Sequence, residues 1–228
     1  MIVLEGLSKS YHVSSRTIRA VLPVDLTIAT GELVSIVGHS GSGKSTLLSL
    51  VGGIARPDTG RVVVEGEDIG TLDDRRLSRL RNERFGFVYQ FASLVPTLTA
   101  EENVLLPTVF GGKKGRDARA LLDEMGLGDK ATRYPSELSG GEQQRVAIAR
   151  AFVCSPSVVL ADEPTGELDE ETEAEVMAFF ERVNRERNVT LVMVTHSAEL
   201  AARAARRLRM RNGALEDVSA ARARSCSG

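Results

Sequence analysis

The sequence predicts an α/β fold built on a mostly parallel sheet. Three observations carry that expectation. Short apolar runs such as Leu33–Val37, Val158–Ala161 and Leu191–Val194 alternate with amphipathic stretches of helical length, the pattern of strands joined by helical crossovers. A glycine- and serine-rich loop links the first of those runs to an apolar helix. Residues 91–153 break the alternation with a largely helical stretch that has its own glycine motif. The chain has 228 residues, enough to bury a core without disulfide staples.

The elements follow in order. Residues 1–28 alternate apolar and polar positions around Arg16–Arg19, which predicts paired strands. Leu33–Val37 is a buried strand, 38–43 a loop and Ser45–Ile54 a helix. Pro57, Asp58 and Gly60 make a turn into a β-branched strand, Arg61–Glu65. Asp73–Asn82 is a charged helix and Phe85–Tyr89 a strand ending at Gln90. Helical segments near 101–106 and 116–126 are expected to be broken by Pro96 and Pro107, and a helix spans 141–153. Strand 157–161, helix 170–187, strand 189–195, helix 197–204 and a β-ribbon over 207–217 complete the domain, and 218–228 is a flexible tail.

Composition excludes several function classes. Lys plus Arg is 29 and Asp plus Glu is 31, without the basic excess of a dedicated nucleic-acid binder. Aromatic residues are 4%, with no Trp, too few for a base-stacking platform. Two cysteines, Cys154 and Cys226, do not make a disulfide scaffold. The N-terminus has no signal-peptide pattern and no apolar run reaches membrane-helix length, so a soluble protein of a reducing compartment is expected. Only 5 of the 29 basic residues are lysines, which raises the question of why each one is not Arg.

Lys44 has an answer. Gly38-His39-Ser40-Gly41-Ser42-Gly43-Lys44-Ser45 fits G-x-x-x-x-G-K-[ST], between an apolar strand and an apolar helix. Glycines let backbone amides approach phosphate oxygens, and the helix N-terminus adds partial positive charge. A compact ammonium enters a β/γ-phosphate pocket that a planar guanidinium fits poorly. Ser45 offers a hydroxyl to Mg²⁺, and Thr46 continues the phosphate-facing turn. The run Val158–Ala161 ends in Asp162 and Glu163. Alone, such an acid is as often a strand-end turn residue; beside a phosphate loop, Asp162 is the metal-side acid. Glu163, on the opposite face, is placed to polarise an attacking water.

Leu138-Ser139-Gly140-Gly141-Glu142-Gln143-Gln144-Arg145 precedes a helix that Ser139 can cap. With the phosphate loop, this run resembles the signature motif of the ATP-binding-cassette (ABC) ATPases, and the resemblance extends from Leu4 to about Glu216. It implies one P-loop NTPase cassette over 1–217. A catalytic core with an antiparallel β-subdomain would comprise 1–90 and 154–217, and an inserted helical subdomain 91–153. It further implies that Tyr11 stacks on adenine, Gln90 touches Mg²⁺ and senses the γ-phosphate, Asp169 lies at a dimer seam and His196 is the switch histidine. Glu142 stands where many members have Gln, and Glu167 where close relatives often have Asn or Ala; the extra charge of Glu167 is expected to weaken nucleotide-free dimerisation.

The family pattern implies that ATP and Mg²⁺ are bound, and that two copies face head to tail. The phosphate loop of one and the Ser139-Gly140-Gly141 helix end of the other then enclose each ATP. Only 94 positions separate Lys44 from Leu138, with no heptads and no Cys pairs, unlike DNA-maintenance members. The segment Gly86–Phe91, then Leu94–Val104, is similar to ATPases of macrolide-export and lipoprotein-release systems and of the related cell-division complex. That similarity implies an integral membrane permease with a large extracytoplasmic domain, and a cytoplasmic subunit peripheral to the inner face of the cell membrane. The surface from Phe91 to Pro107 would receive the permease; Leu94, Leu98 and Val104 suit either that groove or the subdomain core. Signalling through a membrane partner without transport is the competing reading.

Overall fold

The computed structural model describes residues 1–14, 16–111, 115–166 and 168–219. The chain divides into two compact units, Met1–Asp73 with Thr190–Gly228, and Asp74–Val189.

In the first unit, β1 (Ile2–Val13) and β2 (Arg16–Ile28) form the expected antiparallel pair, with β4 (Thr59–Val64) on the other side of β1 and β5 (Glu67–Asp68) at the edge. Val24, Leu26 and Ile28 of β2 are buried while Pro23, Asp25 and Thr27 face water, the alternation of a sheet covered on one side. A second sheet places β3 (Leu33–Val37) between parallel neighbours, β8 (Thr190–Thr195) and β9 (Arg206–Arg211), with β10 (Ala214–Asp217) antiparallel on β9. Every residue of β8 is buried, as its unbroken apolar run requires of a strand covered on both faces. Helix α1 (Lys44–Val51) leaves β3 through the glycine loop. It stops three residues before the expected Ile54, because Gly52-Gly53 follow and Gly53 adopts φ 63°, a left-handed stop. Downstream of β8, α7 (Ala198–Ala202) is held against β3 by the Ser35 hydroxyl, which donates to the Ala201 carbonyl at 3.0 Å.

In the second unit, α2 (Asp74–Arg84) leads into β6 (Phe85–Val88), which pairs in parallel with β7 (Val158–Asp162). Between those strands lie α3 (Ala100–Gly111), α4 (Ala118–Glu124) and α5 (Gly140–Phe152), and α6 (Glu170–Arg187) follows β7. One expectation fails: Pro107 does not end its helix, which continues to Gly111. Side chains brace the turn around the proline: Asn82 Nδ2 donates to the Pro107 carbonyl and the Thr108 hydroxyl to the Leu105 carbonyl. Within the first turn of α3, fully buried Asn103 accepts from the Val95 amide at 2.7 Å and turns its own amide to the Val95, Leu98 and Thr99 carbonyls. That network pins the 95–99 loop. Phe152 of α5 meets Phe179 edge-on at 5.0 Å, with Phe180 behind, which joins α5 to α6 in an aromatic core. Val104 is buried and belongs to that unit's interior, while Leu94 and Leu98 are only partly covered.

Cys154 is a buried thiol that lies 3.9 Å from Asn82 Oδ1. Among the described residues no helix is long and apolar enough to cross a membrane. Val218 donates to the Arg207 carbonyl and Ser219 bonds to Arg207 and Asp217, so those two residues of the expected tail are fastened to β9. The rest of the tail and Glu167 lie outside the described residues.

Candidate functional site

The phosphate loop begins where β3 ends. Gly43 is the N-cap of α1, with φ 106° and no side-chain cap. The first helical bond runs from the Leu47 amide to the Gly43 carbonyl; the amides of Lys44, Ser45 and Thr46 therefore have no acceptor within the helix. The Ser42 hydroxyl oxygen is also buried, with no partner among the described residues. Lys44, itself buried, donates to the Gly38 and His39 carbonyls at 2.7 and 3.2 Å. His39, Ser40, Gly41 and Ser45 are exposed along the rim. Three free amides, a buried hydroxyl and a lysine held only by loop carbonyls make a ready anion site, so the residues fit the phosphates of a nucleotide.

The loop is braced from outside. A Cβ on Gly38 would collide with the Met210 carbonyl, and one on Gly43 with the Ala20 carbonyl and the Met210 side chain. The Gly213 amide donates to the Ser42 carbonyl at 3.0 Å, and the Leu22 amide to the Gly213 carbonyl at 2.9 Å. Ala20 is the extra residue of a bulge between Lys9–Val21 and Ser10–Arg19, the irregularity that re-aims a strand beside a site. The parallel register Val37–Thr195 sets the start of the loop and His196 at the same end of neighbouring strands; His196 is exposed there. Tyr11 is 41% exposed on β1, with the Lys9 ammonium 5.6 Å from its ring centroid.

The second unit gathers the acids. The register Val88–Ala161 brings Gln90 and Glu163 to equivalent positions beyond two paired strands, with Asp162 closing β7. Glu163 has φ 47°, a left-handed backbone for a residue with a Cβ. Such conformers cost about 1–3 kcal/mol and cluster at functional sites. Gln144, 2% exposed, donates to the Tyr89 carbonyl at 2.8 Å and the Pro164 carbonyl at 3.1 Å. Burial holds the Tyr89 phenol above its ordinary range, with the nearby Asp162 charge acting in the same direction.

At the start of α5 the expected cap forms. Ser139 Oγ accepts from the Glu142 amide and Glu142 accepts from the Ser139 amide at 2.8 Å, a reciprocal capping box. The Lys130 ammonium donates to the other Glu142 oxygen and, with the Ser139 amide, holds that carboxyl below its ordinary value. Gly140 faces open space, whereas a Cβ on Gly141 would approach Leu168 Cδ2 at 3.2 Å. Asp169 caps α6 through the Thr172 amide and hydroxyl, both at 2.9 Å, and these bonds lower its carboxyl.

Sequence reasoning missed Gln144, which stood inside a quoted motif as an unassigned letter, and it missed the braces on the phosphate loop. The dipeptide Asn212-Gly213 was the available signal for the second, since it marks a tight hairpin.

Comparison with known proteins gives the family and the fold. The profile of the family described as ABC transporter matches residues 21–166. The chain is 49% identical over 211 residues to the lipoprotein-releasing system ATP-binding protein LolD of Geobacter metallireducens, covering 91% of this chain and 94% of that one. It is 44% identical over 225 residues to the macrolide export ATP-binding/permease protein MacB of Rhodopirellula baltica, covering 96% of this chain and 33% of MacB. A solved ATP-binding cassette, in a dimeric post-hydrolysis state bound to ADP and Pi, superposes with a TM-score of 0.88 at 39% identity, covering 95% of this chain and 98% of that one.

Proposed function

Because the chain belongs to the ABC transporter family of ATP-hydrolysing subunits, we propose that it powers a membrane permease of the lipoprotein-release or macrolide-export type. The observation that carries ATP binding is the uncapped start of α1, with its free amides and the loop-bound Lys44. In this reading Gly38–Thr46 cradle the phosphates, Lys44 exchanges its carbonyl partners for the β- and γ-phosphates, and Tyr11 stacks on adenine. Residues 91–153 are the helical signature subdomain, and 1–90 with 154–217 the catalytic core.

Among the described residues no three His, Cys, Asp or Glu side chains gather into a metal cage. The donors available, the Ser45 hydroxyl, the Asp162 carboxylate and the Gln90 amide oxygen, suit a Mg²⁺ that arrives with the nucleotide, which supplies charge neutralisation on the phosphates. Glu163 orients a water and takes its proton as the water oxygen bonds to the γ-phosphorus. The bond to the β–γ bridging oxygen breaks, and ADP departs with that electron pair. His196 contacts the γ-phosphate and holds it in line. The partner copy completes the site with its Ser139–Glu142 helix start, because one loop cannot surround a γ-phosphate.

A permease with a large extracytoplasmic part, reached from the inner face of the cell membrane, fits the named relatives, one of which joins ATP-binding and permease parts in one protein. Turnover and size-exclusion chromatography test the mechanism. Glu163→Gln is expected to bind ATP normally, lose turnover by about 100-fold or more and accumulate an ATP-bound dimer. Normal turnover would remove Glu163 as the base. Lys44→Ala is expected to lose ATP binding; unchanged affinity would remove the phosphate-loop assignment.

A further inference from the structure

Helix α5 buries Gln144, Val146, Ala147, Ile148, Ala149, Ala151 and Phe152. Gln144 alone among them is polar. A buried amide must spend its two N–H groups, and Gln144 spends both on backbone carbonyls in two different strands' exits. Tyr89 immediately precedes Gln90, and Pro164 immediately follows Glu163. Both carbonyls lie just past the last paired residues of β6 and β7, Val88 and Ala161, where the ladder no longer satisfies them. The same helix grips the far flank of the Gln90 loop. Arg150, whose guanidinium is pushed below its ordinary range by burial, donates to the Ala92 and Ser93 carbonyls at 2.7 and 3.1 Å. Gln90 and Phe91 are thus suspended between two points of attachment on α5. The first turn of that helix is the capping box of Ser139 and Glu142.

We infer that Gln144 is a positioning residue that holds Gln90 and Glu163 in register with the Ser139–Glu142 helix start. Displacement of α5 by an anion at its N-terminus moves both flanking carbonyls together. The geometry at one ATP thereby depends on whether the helix start is engaged by the other. This rests on the roles proposed above for Gln90 and Glu163. A merely structural amide would carry no preference for partners one residue from each.

The test compares steady-state turnover with direct ATP binding. Gln144→Met keeps the length and removes both donors. It is expected to leave ATP affinity within about 2-fold while maximal turnover at saturating ATP falls about 10-fold or more, the signature of an interaction needed in the transition state. Amide exchange should rise in 89–93 and 163–166 but not in 38–46. Gln144→Leu, an apolar side chain that also lacks a donor, is the second variant should the methionine protein not fold, with the same expected split. A folded variant with turnover within about 2-fold of the parent, or with only a lowered melting temperature, overturns the inference. Glu163→Gln in parallel separates the failures. If it turns over normally, the assigned base is wrong; if it stalls while Gln144→Met does not, the positioning role is wrong.

Discussion

Glu142 shows how one side chain can serve both a helix cap and its neighbour's charge. The acid is matched by Lys130, which bonds the oxygen not used on the Ser139 amide. Its carboxyl lies below the ordinary 4.5, because of the Lys130 bond first and the Ser139 amide second. A depressed folded value means the stabilisation is complete above pH 4.5 and is lost as pH falls through the folded value. Melting curves of the parent and Glu142→Gln should therefore differ at neutral pH and converge as acid is added; a constant offset would contradict the linkage. Ser139→Ala removes the other half of the cap and should cost about 1 kcal/mol by denaturant unfolding. At this scale the sequence was most informative where chemistry restricts the residue. Lys44 stood out as a rare lysine, and it is the buried cation of the loop. Gln144 was invisible because an amide announces nothing until its acceptors are known.

Helices and strands were readable wherever a period of 3.6 or 2 ran uninterrupted, as in α5, α6 and β2, or where an apolar run was unbroken, as in β8. Errors fell where a local rule met tertiary compensation, as at Pro107. The hairpin between β9 and β10 was expected, but its contact with the phosphate loop was not, since it joins residues far apart in sequence. Asn212 and Gly213 both have positive φ, 49° and 81°, the two-residue turn that matches strand twist. A Cβ on Gly213 would press on the Arg19 and Ala20 carbonyls at 3.0 and 3.2 Å. Gly213→Ala should raise the dissociation constant for ATP by about 10-fold and speed amide exchange in 38–43. Gly66→Ala is the matched control: Gly66 has φ 86° and open space around it, so it bears comparable backbone strain of about 1 kcal/mol with no effect on affinity. Equal affinity in both variants would dismiss the brace.

For the whole molecule, the question is how hydrolysis reaches a partner. Glu101 and Glu102 lie within the expected docking surface of Phe91 to Pro107, and their charges invite reversal. In the fold Glu102 accepts from the Thr99 amide at the start of α3, and Glu101 pairs with Arg119, so reversal also disturbs the helix. Phe91, Val109 and Phe110 are better probes, being 66, 75 and 78% exposed without an evident folding role. Val109→Ser and Phe110→Ser should abolish co-purification with the permease while leaving isolated ATP turnover unchanged; intact co-purification of both would place docking elsewhere. The threading of the chain has a further consequence, in time rather than in space. The phosphate loop is made early, yet its parallel neighbours are β8 and β9 and its brace is Gly213. At a synthesis rate of roughly 5–20 residues per second, the loop waits on the order of ten seconds or more for its supports. A nascent chain therefore carries a complete nucleotide motif that cannot yet grip a nucleotide, and ATP can reward only molecules whose last strands are in place.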